Sequence, residues 1–264
     1  MQQNLRAQLL DAYDSQLRSA SETPSAASVE LMGPLRLVTF AGGRGFITYR
    51  DLGSLTELQV RQLVPTALDH FQRDLSISRV EWKTRAHDAA PGLGQALLDN
   101  GFVADDTETI MIGDADALAT EVPLPDGITL RTVVTESDVR AMSAMQDEVF
   151  GDPVSEEMAV ALLNRMARRD GMQLWVAESG GIMVSAGRLE PVPDTQFAGI
   201  WGGATRADWR GRGIYKALTA ARARAAIVLG KTLIHSDSTE YSRPILERSG
   251  LIAVSSTTPY RWRR

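Results

Sequence analysis

One stretch constrains the fold of this chain more than any other: an apolar run that ends in a glycine loop and opens a long helix. The run is Phe197–Thr205, the loop is Arg210-Gly211-Arg212-Gly213, and an alanine-rich amphipathic segment follows to about Gly230. This order predicts a strand, a tight turn and a helix. Such a turn directs backbone N–H groups and the positive end of the helix dipole at one point. The stretch therefore predicts a phosphate-binding site, to which the two arginines add positive charge.

The composition excludes several classes of function. The 264 residues carry a formal net charge of −5, which disfavours nucleic acid as a partner because phosphate backbones need a basic surface. The chain has no cysteine, so disulfides, thiolate nucleophiles and zinc–thiolate sites are excluded. His70, His87 and His235 have no metal-ligand spacing, and we expect no metal site. No apolar run is long enough to span a membrane and the N-terminus lacks signal-peptide features, so we expect a cytoplasmic protein with no membrane partner.

The first half, residues 1–121, is expected to form one α/β domain. The glycine cluster at 41–44 lies between two strand-like runs and is a competing phosphate loop. We reject it because a strand follows it, and without a helix N-terminus an anion site loses most of its donors. The expected elements are a helix over 1–19, strands at 29–40 and 45–49, a helix capped by Thr56 that runs to about 75, a strand at 78–83, a short helix that ends at Gly101, and a strand at 102–112, with a linker over 114–127.

The second half, residues 122–264, contains the glycine loop. Its expected elements are a strand at 128–134, helices at 136–150 and 155–169 (the latter capped by Ser155), a hairpin of 173–178 with 182–189, the strand and helix around the loop, a strand at 232–237, a short helix at 242–249, and terminal strands at 251–256 and 260–262. Both halves share the order long helix, strand, short helix, glycine, strand. That order favours two copies of one fold, of which the first has lost its glycine loop, although chance similarity of generic α/β units is the alternative.

At Arg210–Tyr215 the sequence resembles the GCN5-related N-acetyltransferases (GNAT). Their signature is Q/R-x-x-G-x-G/A, and it opens the helix that follows the fourth strand. Arg210 and Gly213 match this signature, whereas Tyr215 departs from the usual final glycine or alanine. The resemblance implies an α/β fold with a mixed sheet, the GNAT acyl-CoA N-acyltransferase fold, in two tandem copies. The domain over 1–121 is then a degenerate copy without a CoA loop, and the domain over 122–264 binds acetyl-CoA.

The resemblance also implies a set of cofactor contacts for acetyl-CoA, which acts as a co-substrate. The pyrophosphate lies on the loop, and pantetheine runs along the preceding strand, which splays away from the strand after the helix. Gly202-Gly203 permits close approach to the backbone, or is simply a bulge. The implied cofactor-binding residues are Gly203, Ala204, Thr205, Arg210, Gly211, Arg212, Gly213, Ile214, Tyr215 and Lys216, with Ser238 and Ser242 near the pantetheine arm. Ser242 is an equally good helix N-cap.

The residues that transfer protons are harder to identify. In the family the acid is often a tyrosine on the short helix, and the register places Leu246 there. Tyr241 is our first substitute, Tyr260 our second and Tyr215 our third. The candidates for the base are Glu190 and Asp237, of which Asp237 shares a strand face with His235. A buried histidine and a turn-capping aspartate are the structural alternatives for that pair.

We therefore expect an acetyl-CoA-dependent N-acetyltransferase that moves an acetyl group to a primary amine by direct attack. The acceptor is expected to be an amine on a small molecule or a peptide. The net negative charge of the chain favours a cationic amine. One alternative is a non-catalytic module that binds or senses acyl-CoA. Another is an interaction protein whose glycine loop is only architectural. The sequence leaves open whether the protein is a homodimer.

Overall fold

In the computed structural model, which describes residues 2–264, the chain forms two compact units. The first unit comprises the described residues up to Ile110, together with Asp237–Glu240 and Ala253–Arg264. The second comprises Met111–Ser236 and Tyr241–Ile252. Each unit thus takes segments from both halves of the sequence, and the expected boundary between residues 121 and 122 falls inside the second unit.

The elements alternate along the chain in the manner of a mixed α/β fold. The helices are α1 (Gln2–Gln16), α2 (Glu57–Gln72), α3 (Leu93–Asp99), α4 (Ala115–Leu118), α5 (Glu136–Phe150), α6 (Glu157–Met166), α7 (Ile214–Val228) and α8 (Arg243–Arg248). The strands are β1 (Ser28–Met32), β2 (Leu35–Phe40), β3 (Arg44–Tyr49), β4 (Arg79–Arg85), β5 (Val103–Ala104), β6 (Glu108–Asp114), β7 (Ile128–Val133), β8 (Gln173–Ser179), β9 (Ile182–Pro191), β10 (Phe197–Thr205), β11 (Leu233–Ser238) and β12 (Ile252–Arg263).

The first unit is built on a mixed sheet in the order β1-β2-β3-β4-β12, with β5 also paired to β12. The β3–β4 pair is parallel and the other pairs are antiparallel. Helix α2 presents Val60, Val64 and Phe71 to a core that includes Ile47 and Trp82. Because α2 connects two parallel strands, it must cross over one face of the sheet, and its apolar stripe is what holds it there.

The second unit has a mixed sheet in the order β11-β10-β9-β8-β7, in which β10 and β11 are the parallel pair. Helices α5 and α6 form one apolar cluster with β8 and β9 that includes Ala186. The next residue along β9, Gly187, faces Arg222 of α7. Because successive strand residues point to opposite faces, α7 covers the other face of this sheet.

Most of the local expectations are confirmed, and the exceptions have identifiable causes. Thr56 caps α2 in a full capping box with Gln59, as expected. The run 29–40 is two strands, because it turns at Gly33, which has φ +55°. The expectation of two terminal strands is wrong: Pro259 lies within β12, where its carbonyl accepts from Asp105 N–H at 2.8 Å. The cap assigned to Ser155 is also wrong, since α6 begins after Glu156.

A candidate acyl-CoA site

The loop before α7 leaves the N-terminus of that helix open. Gly213 is the N-cap in the left-handed region at φ +80°, and Gly211 has φ +73°. No side chain caps the helix, and its first turn contains no acidic residue. The first intrahelical bond of α7 runs from Ala217 N–H to the Gly213 carbonyl at 3.0 Å, so the preceding N–H groups have no acceptor within the helix. A Cβ added at either glycine would meet nothing within 4 Å, so there is room for an anion at this N-terminus.

The charged side chains of the loop divide into two kinds. Arg206 is held, because it pairs with Glu148 at 2.9 Å and donates to the Met183 carbonyl at 3.1 Å. Arg210 and Arg212 are exposed: Arg210 Nε donates to the Thr205 carbonyl at 3.0 Å, and Arg212 stacks over the Trp209 ring at 4.8 Å. Within residues 2–264 neither of these two arginines forms an ion pair with a carboxylate. Both guanidinium groups therefore keep their charge available to an anion on the loop.

Strands β10 and β11 separate before they end. Their parallel register covers only Phe197–Gly199 against Leu233–His235. Strand β10 then continues to Thr205, paired on its other edge with β9. The splay that the resemblance implies is therefore present, and it opens at the pair Gly199 and His235. His235 is 8% exposed and lies edge-on to the rings of Trp201 and Phe197, which matches the structural alternative for this residue.

A bulge interrupts β10 beside this opening. The register with β9 shifts between Trp201 and Ala204, and Gly202 has φ +59°. The Gly202 carbonyl accepts from Gln146 Nε2 of α5 at 2.5 Å, so a side chain from the helix layer holds the bulge. Gly203 lies in neither the β9 register nor the β11 register, and it is exposed. Its backbone groups therefore lie outside both strand registers, at the exposed edge where an extended ligand arm would pair.

The end of β10 is fixed on the side that faces β9. Ala204 and Thr205 pair with Ala186 and Ser185. The buried Ser185 hydroxyl donates to the Ala204 carbonyl at 2.7 Å and lies 2.8 Å from Thr205 Oγ1. Ala204 and Thr205 can therefore contact a ligand only through atoms that do not already bond to β9.

Tyr215 and Arg222 were not expected to act together. A Cβ at Gly203 would lie 2.6 Å from Tyr215 Cε2 and 3.3 Å from the phenol oxygen, so the hydroxyl end of Tyr215 rests on the bulge. Arg222, seven residues later on α7, is 1% exposed, and its guanidinium lies near enough to the Tyr215 phenol for the two to interact electrostatically. Burial lowers the pKa of Arg222, and the neighbouring Tyr215 opposes that shift. The spacing of seven residues places both side chains on one face of the helix, but nothing in the sequence marks Arg222 as buried.

Two of the proposed proton carriers, Glu190 and Tyr241, lie in the second unit. Glu190 Oε1 accepts from Arg188 Nε at 2.6 Å, and its other oxygen lies 3.4 Å from Arg165 Nη1. Both carboxylate oxygens of Glu190 are therefore engaged by guanidinium groups of the protein. Tyr241 precedes α8 and is 82% exposed, so its hydroxyl is accessible.

The other two, Asp237 and Tyr260, lie in the first unit. Asp237 Oδ2 accepts from Lys83 Nζ at 2.7 Å, and both side chains are largely buried. Tyr260 pairs with Trp82 across β12 and β4, and its hydroxyl lies 3.1 Å from where a Cβ of Gly94 would be. Asp237 is thus engaged in an ion pair with Lys83, whereas Tyr260 packs at the margin of the core.

The two serines assigned to the pantetheine arm lie at either end of one loop. Ser238 ends β11 in the first unit and is 1% exposed. Ser242 precedes α8 in the second unit, and its carbonyl accepts from Leu246 N–H at 3.1 Å. Ser242 is the N-cap residue of α8, as the sequence allowed, but its side chain makes no cap hydrogen bond there. Leu246, at the place of the family's tyrosine, is fully buried.

A buried charge network in the first unit was also missed by sequence reasoning. Arg85 pairs with Glu22, and Arg85 Nε donates to the Tyr13 hydroxyl at 3.1 Å. Glu108, near Asp237, has its pKa raised to about 7 by burial and by the Asp237 carboxylate. These residues come from distant parts of the first unit's sequence, so no local pattern predicts that they meet.

The described part of the chain contains neither a candidate metal site nor a candidate membrane span. In residues 2–264 no group of three or more histidine, cysteine or acidic side chains could hold a metal ion. The helices of the same residues include none with the length and apolar character needed to cross a membrane.

Comparison with known proteins points to one fold. No protein-family model matches the sequence, and no curated protein matches it. A GCN5-related N-acetyltransferase from Kribbella flavida is 16% identical with a TM-score of 0.68, over 97% of this chain and 95% of that one. Another from Sphaerobacter thermophilus is 20% identical with a TM-score of 0.66, over 97% and 91%. A tandem GNAT protein from the clavulanic acid biosynthesis pathway is 12% identical with a TM-score of 0.61, over 97% and 95%.

These likenesses extend over nearly the whole chain, so both units are part of the shared fold. The open N-terminus of α7, the separation of β10 from β11 and the bulge at Gly202 all lie in the second unit. The chain has the fold of the GCN5-related N-acetyltransferases, including that of a tandem member.

Proposed function

We propose that this protein is an acetyl-CoA-dependent N-acetyltransferase whose acceptor is a primary amine. The observation that carries the proposal is the uncapped N-terminus of α7, which opens beside the separated ends of β10 and β11. An acyl-CoA has a pyrophosphate and an extended amide arm, and these two features need an anion site next to a free strand edge. The second unit offers both within one strand–loop–helix segment.

The loop residues would bind the pyrophosphate. N–H groups from Gly211 to Lys216 lack intrahelical acceptors, and Arg210 and Arg212 supply two charges that no carboxylate of the described chain neutralises. When bound, acetyl-CoA supplies the activated acetyl thioester. The free backbone of Gly203 and the outer edge of Ala204 and Thr205 would hold the pantetheine amides.

Transfer by direct attack requires a neutral amine and a proton for the departing sulfur. The amine nitrogen forms a bond to the thioester carbon, the carbon–sulfur bond breaks, and its electron pair leaves on sulfur. Our candidates for the proton steps remain Tyr241, Asp237, Glu190 and Tyr260. The exposed hydroxyl of Tyr241 is the most accessible donor among them, whereas Asp237 pairs with Lys83 and Glu190 pairs with Arg188.

One observation favours a second candidate function, a non-catalytic module that binds acyl-CoA. The position of the family's usual acid is occupied by Leu246, which is fully buried and cannot transfer a proton. Such a module would bind acyl-CoA on the same loop and the same strand edge without catalysing acetyl transfer.

Thiol release from acetyl-CoA, measured against a panel of small primary amines and lysine-containing peptides, separates the two functions. Release above the rate without amine supports the acetyltransferase. CoA binding without thiol release for any acceptor supports the module. Absence of CoA binding contradicts both.

A further inference from the structure

The second unit contains a buried cation with no anionic partner. Arg222 is 1% exposed, and no carboxylate within residues 2–264 forms an ion pair with it. Its guanidinium donates to the carbonyls of Leu218 and Arg188, each at 3.3 Å, and to Thr219 Oγ1 at 3.2 Å. A buried charge satisfied only by neutral groups is costly, and its retention calls for a specific role.

The surrounding backbone is shaped to this guanidinium. A Cβ at Gly187 of β9 would lie 2.5 Å from Arg222 Nη1 and 2.8 Å from its Cζ, so only glycine leaves room at that point of the strand. The guanidinium also interacts electrostatically with the Tyr215 phenol, seven residues earlier on α7. Arginine carries only donors, so the guanidinium attracts the phenol oxygen and repels its proton.

The geometry of Tyr215 links this pair to the bulge of β10. The phenol oxygen lies 3.3 Å from the Cβ position of Gly203, the residue outside both strand registers. Because the guanidinium attracts the phenol oxygen and repels its proton, the phenol O–H is directed toward another group. A thioester held on the Gly203 backbone would place its carbonyl within reach of that donor.

We infer that Arg222 is a positioning residue, which holds the Tyr215 hydroxyl at Gly203 so that it donates a hydrogen bond to the carbonyl oxygen of the bound thioester. This inference rests on the proposed function. Tyr215 would stabilise the negative charge that develops on that oxygen, and its proton stays on the phenol. Tyr215 is thus the catalytic residue, and Arg222 acts only through it.

Kinetics of three variants test this assignment on the full chain. Tyr215→Phe should lower kcat by about 100–1,000-fold with a much smaller change in KM for acetyl-CoA, as for removal of one oxyanion donor. Arg222→Met should lower kcat by a comparable factor, and the double variant should be no slower than Tyr215→Phe alone. Independent, multiplying losses would overturn the inference, because they would show that Arg222 does not act through Tyr215.

A measurement that needs no catalysis tests this inference independently of the proposed function. With fluorotyrosine incorporated, the 19F resonance of Tyr215 is assigned by its absence in Tyr215→Phe. Arg222→Met should shift or broaden it, and so should Gly187→Ala, which displaces the guanidinium but keeps the charge. Gly180→Ala, at the exposed β8–β9 turn, is the matched control. An unchanged resonance in folded Arg222→Met or Gly187→Ala protein overturns the inference, even if the protein binds no CoA.

Discussion

The two units contain the same strand–helix–strand succession, β3–α2–β4 and β10–α7–β11, but treat the helix N-terminus in opposite ways. Thr56 and Gln59 close the N-terminus of α2 with a capping box, and Glu57 adds a negative charge in its first turn. Gly213 leaves the N-terminus of α7 without a side-chain cap or an acid. The difference shows that side chains at three or four positions decide whether a helix start is a structural end or an anion site.

The two parallel strand pairs, β3 with β4 and β10 with β11, also differ in what occupies the space beyond their shared register. In the first unit the register of β3 with β4 ends at Ile47 and Trp82, and the buried ion pair of Arg85 with Glu22 lies beyond it. Thr48 Oγ1 donates to Glu22 Oε2 at 2.9 Å and completes that network. In the second unit the corresponding region holds the glycine bulge of β10. In the first unit paired side chains fill this region, whereas in the second unit we propose that a ligand occupies it.

The largest expected effect is the loss of that filling in the first unit. Arg85→Met removes a side chain that is 0% exposed and leaves Glu22 buried without its main partner. We expect a loss of about 3–5 kcal/mol in the free energy of unfolding, measured with urea. The control is Arg61→Met, which removes an exposed ion pair with Glu57. Its free energy of unfolding should differ from the wild type by less than about 1 kcal/mol. Similar losses in both variants would show that the network does not stabilise the first unit.

The next effect concerns the loop of the second unit. Arg210→Ala should weaken CoA binding by about 1.5–3 kcal/mol in a calorimetric titration, because it removes a charge-assisted hydrogen bond to phosphate. Arg140→Ala, whose guanidinium pairs with Glu136 on α5, should leave the dissociation constant unchanged. Equal affinities of the Arg210 variant and the wild type would remove this arginine from the site.

A smaller effect, dependent on pH, should appear in the first unit. The folded-state pKa of Glu108 is raised from 4.5 to about 7, so the folded state binds this proton more tightly than the unfolded chain. Ionisation therefore costs stability as pH rises from 4.5 to 7. Glu108→Gln should be about 1–2 kcal/mol more stable than wild type at pH 8, after allowance for partial solvent exposure, and should not differ below pH 4.5.

The control for this prediction is Glu240→Gln, which changes an exposed carboxylate of the same unit. Urea unfolding at several pH values gives both profiles. A Glu108→Gln variant whose unfolding free energy parallels the wild type between pH 4.5 and 8 would contradict the raised pKa.

The smallest effect tests the cap itself. Thr56→Ala should lower the free energy of unfolding by about 1 kcal/mol, because it leaves the Gln59 N–H without its acceptor. Thr66 is an exposed residue in the middle of α2. The free energy of unfolding of Thr66→Ala should stay within about 0.5 kcal/mol of the wild-type value. No loss in the Thr56 variant would mean that the capping box does not distinguish α2 from α7 energetically.

Sequence reasoning recovered what local patterns encode. The bounds of α5 and β10, the cap at Thr56 and the loop before α7 all follow from periodicity and from glycine or threonine at defined positions. The pairing of β12 with β4, from opposite ends of the chain, has no local signal. The burial of Arg222 has none either, because it depends on the space left by Gly187 and on the Tyr215 phenol. Local chemistry thus pointed to the loop that we propose as the ligand site, whereas the partners of charged groups required the three-dimensional structure.

The most direct test of the account is a calorimetric titration of the protein with CoA and with pantetheine, which lacks the pyrophosphate. We predict that CoA binds and that pantetheine binds at least about 100-fold more weakly, since the charged contacts at the α7 N-terminus are lost. Gly213→Asp, which gives α7 an acidic start as Glu57 does for α2, should abolish the difference by weakening CoA alone. Equal binding of CoA and pantetheine, or CoA affinity unchanged in Gly213→Asp, would contradict the claim that this helix start is the phosphate site.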